Sequence, residues 1–315
     1  MLSFSLSEGY PVLMLPEPTP KKVARPIVAA FLILTLCCAG CSDPSSRLVP
    51  DPLKSEIDPI EQRHREIQAA LGIEPNEVTS TVTQAIVRET KRIQALPGRT
   101  GILAEPWQYS VFAEEIIIRD FFQDRKDGFF VDVGAAWPVQ GSNTYYLEKH
   151  LGWTGIGIDA LSEFGPAWKK LRPDSKFLVF LVTDKSGGEG KFFKSAGLGI
   201  SSTDRKHASG QMFGVEVEPE EISVPKTTLN DLLDREGVTK VDLLSMDIEG
   251  QELQALRGFD LERFQPELLV IEGKRPAIRK HFERYGYELI ERYLEMDSGN
   301  RYFQRKQRHP EHGQP

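Results

Sequence analysis

The chain has 315 residues, 40% hydrophobic and 27% charged, with a net charge of −7 at neutral pH. That balance describes an ordinary globular protein long enough for one or two domains. The acidic total, with no concentrated basic stripe in the body of the chain, argues against nucleic acid as the main partner, because phosphate neutralisation supplies most of such binding.

All three cysteines, Cys37, Cys38 and Cys41, fall in one N-terminal segment. A disulfide, a thiolate metal site or a catalytic cysteine in the folded body is therefore excluded. In "KKVARPIVAAFLILTLCCAGC", Lys21, Lys22 and Arg25 flank an apolar run from Ile27 to Leu36. The run is short for a bilayer span but suits the hydrophobic region of a secretory signal. Cys38-Ala39-Gly40-Cys41 resembles a bacterial lipobox, with Cys38 where an aliphatic residue is usual. Residues 1–41 are expected to be a signal, Cys41 a lipidated membrane anchor, and the domain extracytoplasmic. The alternative is an uncleaved anchor or buried helix, and a cytoplasmic domain if there is no signal.

Residues 42–100 read as a Pro- and Ser-rich tether with two short helices, Glu61 to Leu71 and Thr83 to Leu96. The main domain is placed at 101–305 and a polar tail at 306–315. Within the domain, "PWQYSVFAEEIIIRDFF" has helical spacing. "GFFVDVGA" is a first buried strand, and "SNTYYLEKHLG" a helix that opens on good capping residues and stops at Gly152. "TGIGIDA", "KFLVFLVTD", "VDLLSMD" and "ELLVIEG" are strands two to five. Helices intervene at Phe164 to Leu171, Leu229 to Glu236, Gln251 to Arg257 and Ala277 to Tyr285. Near-continuous apolar strands alternating with helices predict an α/β fold with a parallel sheet covered on both faces. The segment from Gly187 to Val224 reads as polar and irregular, and is expected to shape an acceptor pocket.

Ligands of such sheets bind beyond the carboxyl ends of the strands. Those ends carry Asp132, Asp159, Asp184, Asp247, Glu249 and Glu272, which are expected to converge on one rim. Strand ends are also simply where polar residues resume. Asp159, after the second strand, is placed to accept both hydroxyls of a ribose, and Gly134 permits the tight turn after the first. This suits NAD and S-adenosylmethionine equally. However, "GAAWPVQGS" is not G-x-G-x-x-G, and Pro138 offers no donor, which disfavours a pyrophosphate cradle and an NAD-linked oxidoreductase.

The first-strand segment, "GFFVDVGAAWPVQGSNTYYLEKHLGWTGIGIDA", and "VPKTTLNDLLDREGVTKVDLLSMDIEGQELQALRGF" together resemble the FkbM family of S-adenosylmethionine-dependent methyltransferases. Asp132, Gly134, Asp159 and the run Asp247, Glu249, Gly250, Glu252 match its motifs in order, over roughly Trp107 to Arg305. Trp137-Pro138 stands where many members carry a second glycine. The resemblance implies a Rossmann-like seven-stranded methyltransferase sheet with the last strand antiparallel, "YELIERY" and "NRYFQR" forming the final hairpin. It also implies methyl transfer to an oxygen, often a hydroxyl on a sugar or other small metabolite.

On that basis Asp132, Gly134, Asp159 and Asp184 are the expected donor-binding residues, and Asp247 and Glu249 the catalytic ones. Asp247 would lie beside the methyl donor and Glu249 would orient or deprotonate the acceptor hydroxyl, since a neutral alcohol is a poor nucleophile. Glu249 would otherwise be an acid at a helix N-terminus, favourable by roughly 0.3–1 kcal/mol. Asp184 is balanced between the adenine amino group and a turn, and Glu272 between acceptor contact and sheet-edge hydrogen bonding. Glu252 reads as a cap or solvent-facing acid. His207 is a base only if its polar loop closes over the site, and is otherwise exposed. Trp137 and Trp153 read as packing residues. Metal is left out, because no histidine accompanies the acids at ligand spacing. A competing reading keeps the fold without the chemistry, as a lipid-anchored binding protein, because the donor is made in the cytoplasm and a lipobox sends the domain outside.

Overall fold

A computed structural model describes residues 92–306 apart from 94, 196–199 and 211–217. The expected signal, the Glu61 to Leu71 helix, all but the end of the Thr83 to Leu96 helix and residues 307–315 of the tail lie outside the described residues. No helix among those described is long and apolar enough to cross a membrane.

The first helix, α1 (Glu114–Phe122), is shorter than its sequence pattern. Glu115 accepts the backbone N–H groups of Gln108 and Tyr109, and Glu114 that of Phe112, so the preceding chain is folded back onto the helix start. Then come β1 (Phe129–Val133), α2 (Tyr145–Leu151), β2 (Thr154–Asp159), α3 (Gly165–Leu171) and β3 (Lys176–Val179). Helix α2 stops at Gly152 in the left-handed region, φ 71°, a conformation that costs glycine little.

The third predicted strand is two strands. It leaves the main sheet after Phe180, whose N–H still reaches the Asp159 carbonyl, and continues as β4 (Leu181–Val182). The region read as irregular contains β5 (Glu189–Lys194), a one-turn helix α4 (Arg205–Ala208) and β6 (Glu220–Thr227). Strands β5 and β6 pair antiparallel, β4 pairs parallel with β6, and the three form a small second sheet. Next follow α5 (Leu229–Arg235), β7 (Leu243–Met246), α6 (Glu252–Arg257), α7 (Leu261–Phe264), β8 (Leu268–Glu272), α8 (Pro276–Arg284), β9 (Tyr287–Leu289) and β10 (Asn300–Arg305).

The main sheet has the order β3-β2-β1-β7-β8-β10-β9. Strands β3 to β8 in that order are parallel, and β10 runs antiparallel to both β8 and β9. This is the seven-stranded sheet expected from the resemblance, closed by the expected hairpin. Alternation along β1 sends Val131 and Val133 to the face packed by Leu232 of α5 and Phe282 of α8, and Phe130 to the face packed by Ile117 of α1 and Leu147 of α2. Helices therefore cover both faces. Trp153 is core, its indole N–H donating to the Arg125 carbonyl, and Trp137 packs edge-on to Phe164.

One buried cation braces the loop after β1. Arg172, fully buried just past α3, donates through Nε to Glu148 at 2.7 Å and through Nη1 to the hydroxyls of Ser142 and Thr144 at 3.2 and 3.1 Å. Thr144 in turn donates its hydroxyl to Asp132 Oδ2 at 2.8 Å. Removing the guanidinium would strand the Glu148 carboxylate without its partner and leave buried Asp132 with a loosened one. Arg172→Met is expected to destabilise the fold by about 3–5 kcal/mol, the cost of breaking a buried ion pair from one side, as read from urea unfolding.

Candidate active site

The ends of β1, β7 and β8 open into one cleft whose lining includes Asp132, Gly134, Asn143, Asp247, Glu249 and Glu272. Its far wall is built by Val111, Phe112 and Glu114 ahead of and within α1, and by Gly299 and Asn300 at the start of β10. Asn300 Nδ2 donates to Glu114 Oε1 at 3.0 Å and to Asp297 Oδ2 at 2.9 Å. Burial, and then the charge of Asp297, push the Glu114 carboxyl up to about 8. Nothing in the sequence marked this wall, because α1 and β10 are separated by most of the domain.

Gly134 is held at φ +81°, and a Cβ there would sit 1.7 Å from the Asp247 backbone carbonyl. The loop after β1 thus passes directly against the end of β7, and only glycine permits the approach. Asp132 is buried, and that burial raises its carboxyl against the opposing effect of Thr144 and Arg172. Asp159 ends β2, where its two oxygens accept the backbone N–H groups of Ala136 and Leu161 at 3.0 and 2.9 Å. Burial lifts it to about 6 despite those bonds. A carboxylate has about four lone-pair sites, so these bonds leave acceptor capacity for a further donor such as a ribose hydroxyl.

Of the six acids expected on one rim, Asp132, Asp247, Glu249 and Glu272 line this cleft, whereas Asp159 and Asp184 do not. Because the chain leaves the main sheet after Phe180, Asp184 lines a separate recess with Lys185, Lys226 and Gln254, and Gln254 Nε2 donates to it at 3.1 Å. That hydrogen bond lowers its carboxyl pKa.

The run from Asp247 to Glu252 is a tight turn organised by its last acid. Glu252 is fully buried, so it does not face solvent. Its Oε1 accepts the Gly250 N–H at 2.9 Å, and its Oε2 takes Arg275 Nη1 at 2.7 Å. It is also the first-turn acid of α6, a place that Glu249 does not occupy. Glu249 itself sits in the left-handed region at φ 51°, followed by Gly250 at φ 106°. Strand alternation ends at Met246, so it is this strained turn, and not a two-residue period, that brings Asp247 and Glu249 to the same cleft.

Oxygens of Asp247, Glu249 and Glu272 lie within 4.8 Å of one another. Asp247 is exposed by its surface area and lines the cleft, while its carboxyl is surrounded closely by protein atoms. Burial and the charges of Glu272 and Glu249 push its carboxyl well above the ordinary range. Burial and the charge of Glu249 raise the Glu272 carboxyl to about 7, so both acids of this neighbouring pair bind a proton more readily than free carboxyls do. Glu249 has a different partner: His207 Nε2 lies 2.6 Å from its Oε2, and that hydrogen bond raises the imidazole pKa. The histidine that sequence spacing could not place beside the acids is delivered by α4.

A parallel sheet in this strand order, with an antiparallel β10 and an acidic cleft at its carboxyl edge, defines a Rossmann-like methyltransferase. Residues 132–289 match the FkbM methyltransferase domain, half of the chain, and the chain belongs to that family. Its methyl donor is S-adenosylmethionine. The residues present fit that donor: a glycine turn without room for a side chain, an acid at the end of β2 and an anionic cleft suited to a sulfonium. No curated protein matches the chain. Among solved structures, a TehB-like S-adenosylmethionine-dependent methyltransferase from Corynebacterium glutamicum is 14% identical. The match covers 80% of this chain and 99% of that one, with a TM-score of 0.34, too low to bear on the fold, which the strand order establishes.

Acids with raised pKa values bind protons more tightly folded than unfolded, so their contribution to stability is full below about pH 4 and declines as pH rises through their folded values. With Asp159 at about 6 and Glu272 at about 7, the ligand-free protein is expected to melt at a lower temperature at pH 8 than at pH 5.5. Glu272→Gln should flatten that slope in calorimetric scans.

Proposed function

We propose that the chain is an O-methyltransferase acting on a hydroxyl of a sugar or other small metabolite. The observation that supports this reading best is the meeting of Asp247, Glu249 and Glu272, from the ends of two neighbouring strands, on the cleft that Gly134 and Asp132 also line. Asp132, Gly134 and Asp159 would hold the donor, and Asp247 would lie beside its positive centre. When bound, S-adenosylmethionine supplies a methyl group made electrophilic by the sulfonium. Glu249 orients the acceptor hydroxyl and takes its proton at a carboxylate oxygen, which strengthens an otherwise weak nucleophile. The Asp247–Glu272 pair keeps negative charge on the cleft floor, and the Glu114–Asn300 wall faces the acceptor.

The N-terminal segment supports a further proposal about location: that Cys41 is lipidated and tethers the domain outside the cytoplasm. Cys41→Ala would then abolish labelling with palmitate and move the protein to the soluble fraction.

Calorimetry with S-adenosylmethionine and transfer of a labelled methyl group to a panel of small alcohols and glycosides test the enzymatic reading. Asp247→Asn is expected to weaken donor binding by up to about tenfold, ~1.4 kcal/mol, because a carboxyl that can ionise beside the sulfonium is lost. Glu249→Gln should leave donor affinity nearly unchanged while slowing transfer by about 10²–10⁴, the usual worth of a general base. Donor binding with no transfer to any hydroxyl would favour a binding protein that keeps the fold.

A further inference from the structure

We propose that His207 is a positioning residue for methyl transfer: it holds the Glu249 carboxylate in the cleft through its Nε2. The inference rests on Glu249 being the group that takes the acceptor's proton.

The contact is short, 2.6 Å, and partly withdrawn from water, with the two side chains 14% and 20% exposed. Glu249 needs an external hold. Its backbone is in the left-handed region, and its carboxylate lies among two other acids whose charges would drive it away. Neither strand pleat nor helix packing fixes its direction. The segment that follows β5 supplies the hold at two points. Ser202 Oγ donates to the Glu249 carbonyl at 3.1 Å, and His207 takes the carboxylate.

Both anchors are themselves secured. Ser202 exchanges both backbone hydrogen bonds with Phe193 of β5, at 2.8 and 3.1 Å. His207 sits in the single turn of α4, capped by Asp204, whose own N–H returns to Ser202 Oγ at 3.2 Å. Glu249 Oε2 is taken by the imidazole, and among the described residues Oε1 accepts no hydrogen bond. Glu249 lines the cleft, and the imidazole meets it at the carboxylate, through which the histidine acts.

Glutamine can present an N–H donor at much the same reach as Nε2, and leucine cannot. His207→Gln is expected to keep turnover within about threefold of wild type. His207→Leu should lose roughly 10²-fold in kcat, the cost of an ångström-scale misplacement, with KM for S-adenosylmethionine little changed. Equal loss in both variants would make the imidazole itself the proton acceptor, and equal retention would make the contact idle; either overturns the proposal. Thermal melts of both variants exclude misfolding as the cause. Independently of turnover, ¹⁵N-edited spectra of the wild-type chain should show a hydrogen-bonded imidazole Nε2–H that disappears in Glu249→Ala, which removes the acceptor. A spectrum unaffected by that substitution overturns the clamp. A wild-type protein that shows the bonded proton but methylates no hydroxyl instead overturns the role given to Glu249.

Discussion

Mutual repulsion among carboxylates is the constraint around which this molecule is arranged. Strands β7 and β8 are neighbours in register, so acids at their ends are forced within a few ångströms of one another. Like charges at such spacing in a cleft cannot all stand ionised and unpartnered. The protein resolves this in two ways. Asp247 and Glu272 have raised carboxyl pKa values and so lose their protons less readily, and the remaining acid, Glu249, is given the imidazole of His207 from helix α4. Both solutions keep the cleft anionic without leaving it unstable, the condition a cationic donor requires.

A second layer of side chains holds those acids in place. Arg172 braces the loop after β1 from behind, Glu252 and Arg275 fold the turn after β7, and Ser202 pins that turn from above. None of these groups needs to contact a ligand. They fix a glycine turn against a strained acidic turn, so that Gly134 and the acids after β7 and β8 meet at one cleft. Strain at Glu249 is tolerated because the contacts around it over-determine its position.

Much of the fold was legible because the strands "FFVDV", "LLSM" and "LLVIE" are apolar runs that can only be buried on both faces, and the glycines between them mark the turns. The acids of the cleft were legible for the same reason: each follows directly on such a run. The fate of Asp184 was not, since "KFLVFLVTD" is uniformly apolar and gives no sign that its last residues pair with a different sheet. The pairing of "EGKFFK" with "EEISVPKT" was obscured by charges on both strands, which are half-exposed. His207 and Glu249 lie 42 residues apart, on elements whose approach depends on that hidden pairing. Local pattern carries no information about such a contact.

The second sheet has a further consequence. Its first strand, β4, and its last, β6, lie side by side, with Leu181 opposite Lys226 and Val182 opposite Thr227. The whole excursion between them begins and ends at one spot on the domain. A cassette stitched in this way can be lengthened, shortened or exchanged without shifting any strand of the platform beneath. The excursion that carries Ser202 and His207 to Glu249 is thus fastened to the platform at a single seam.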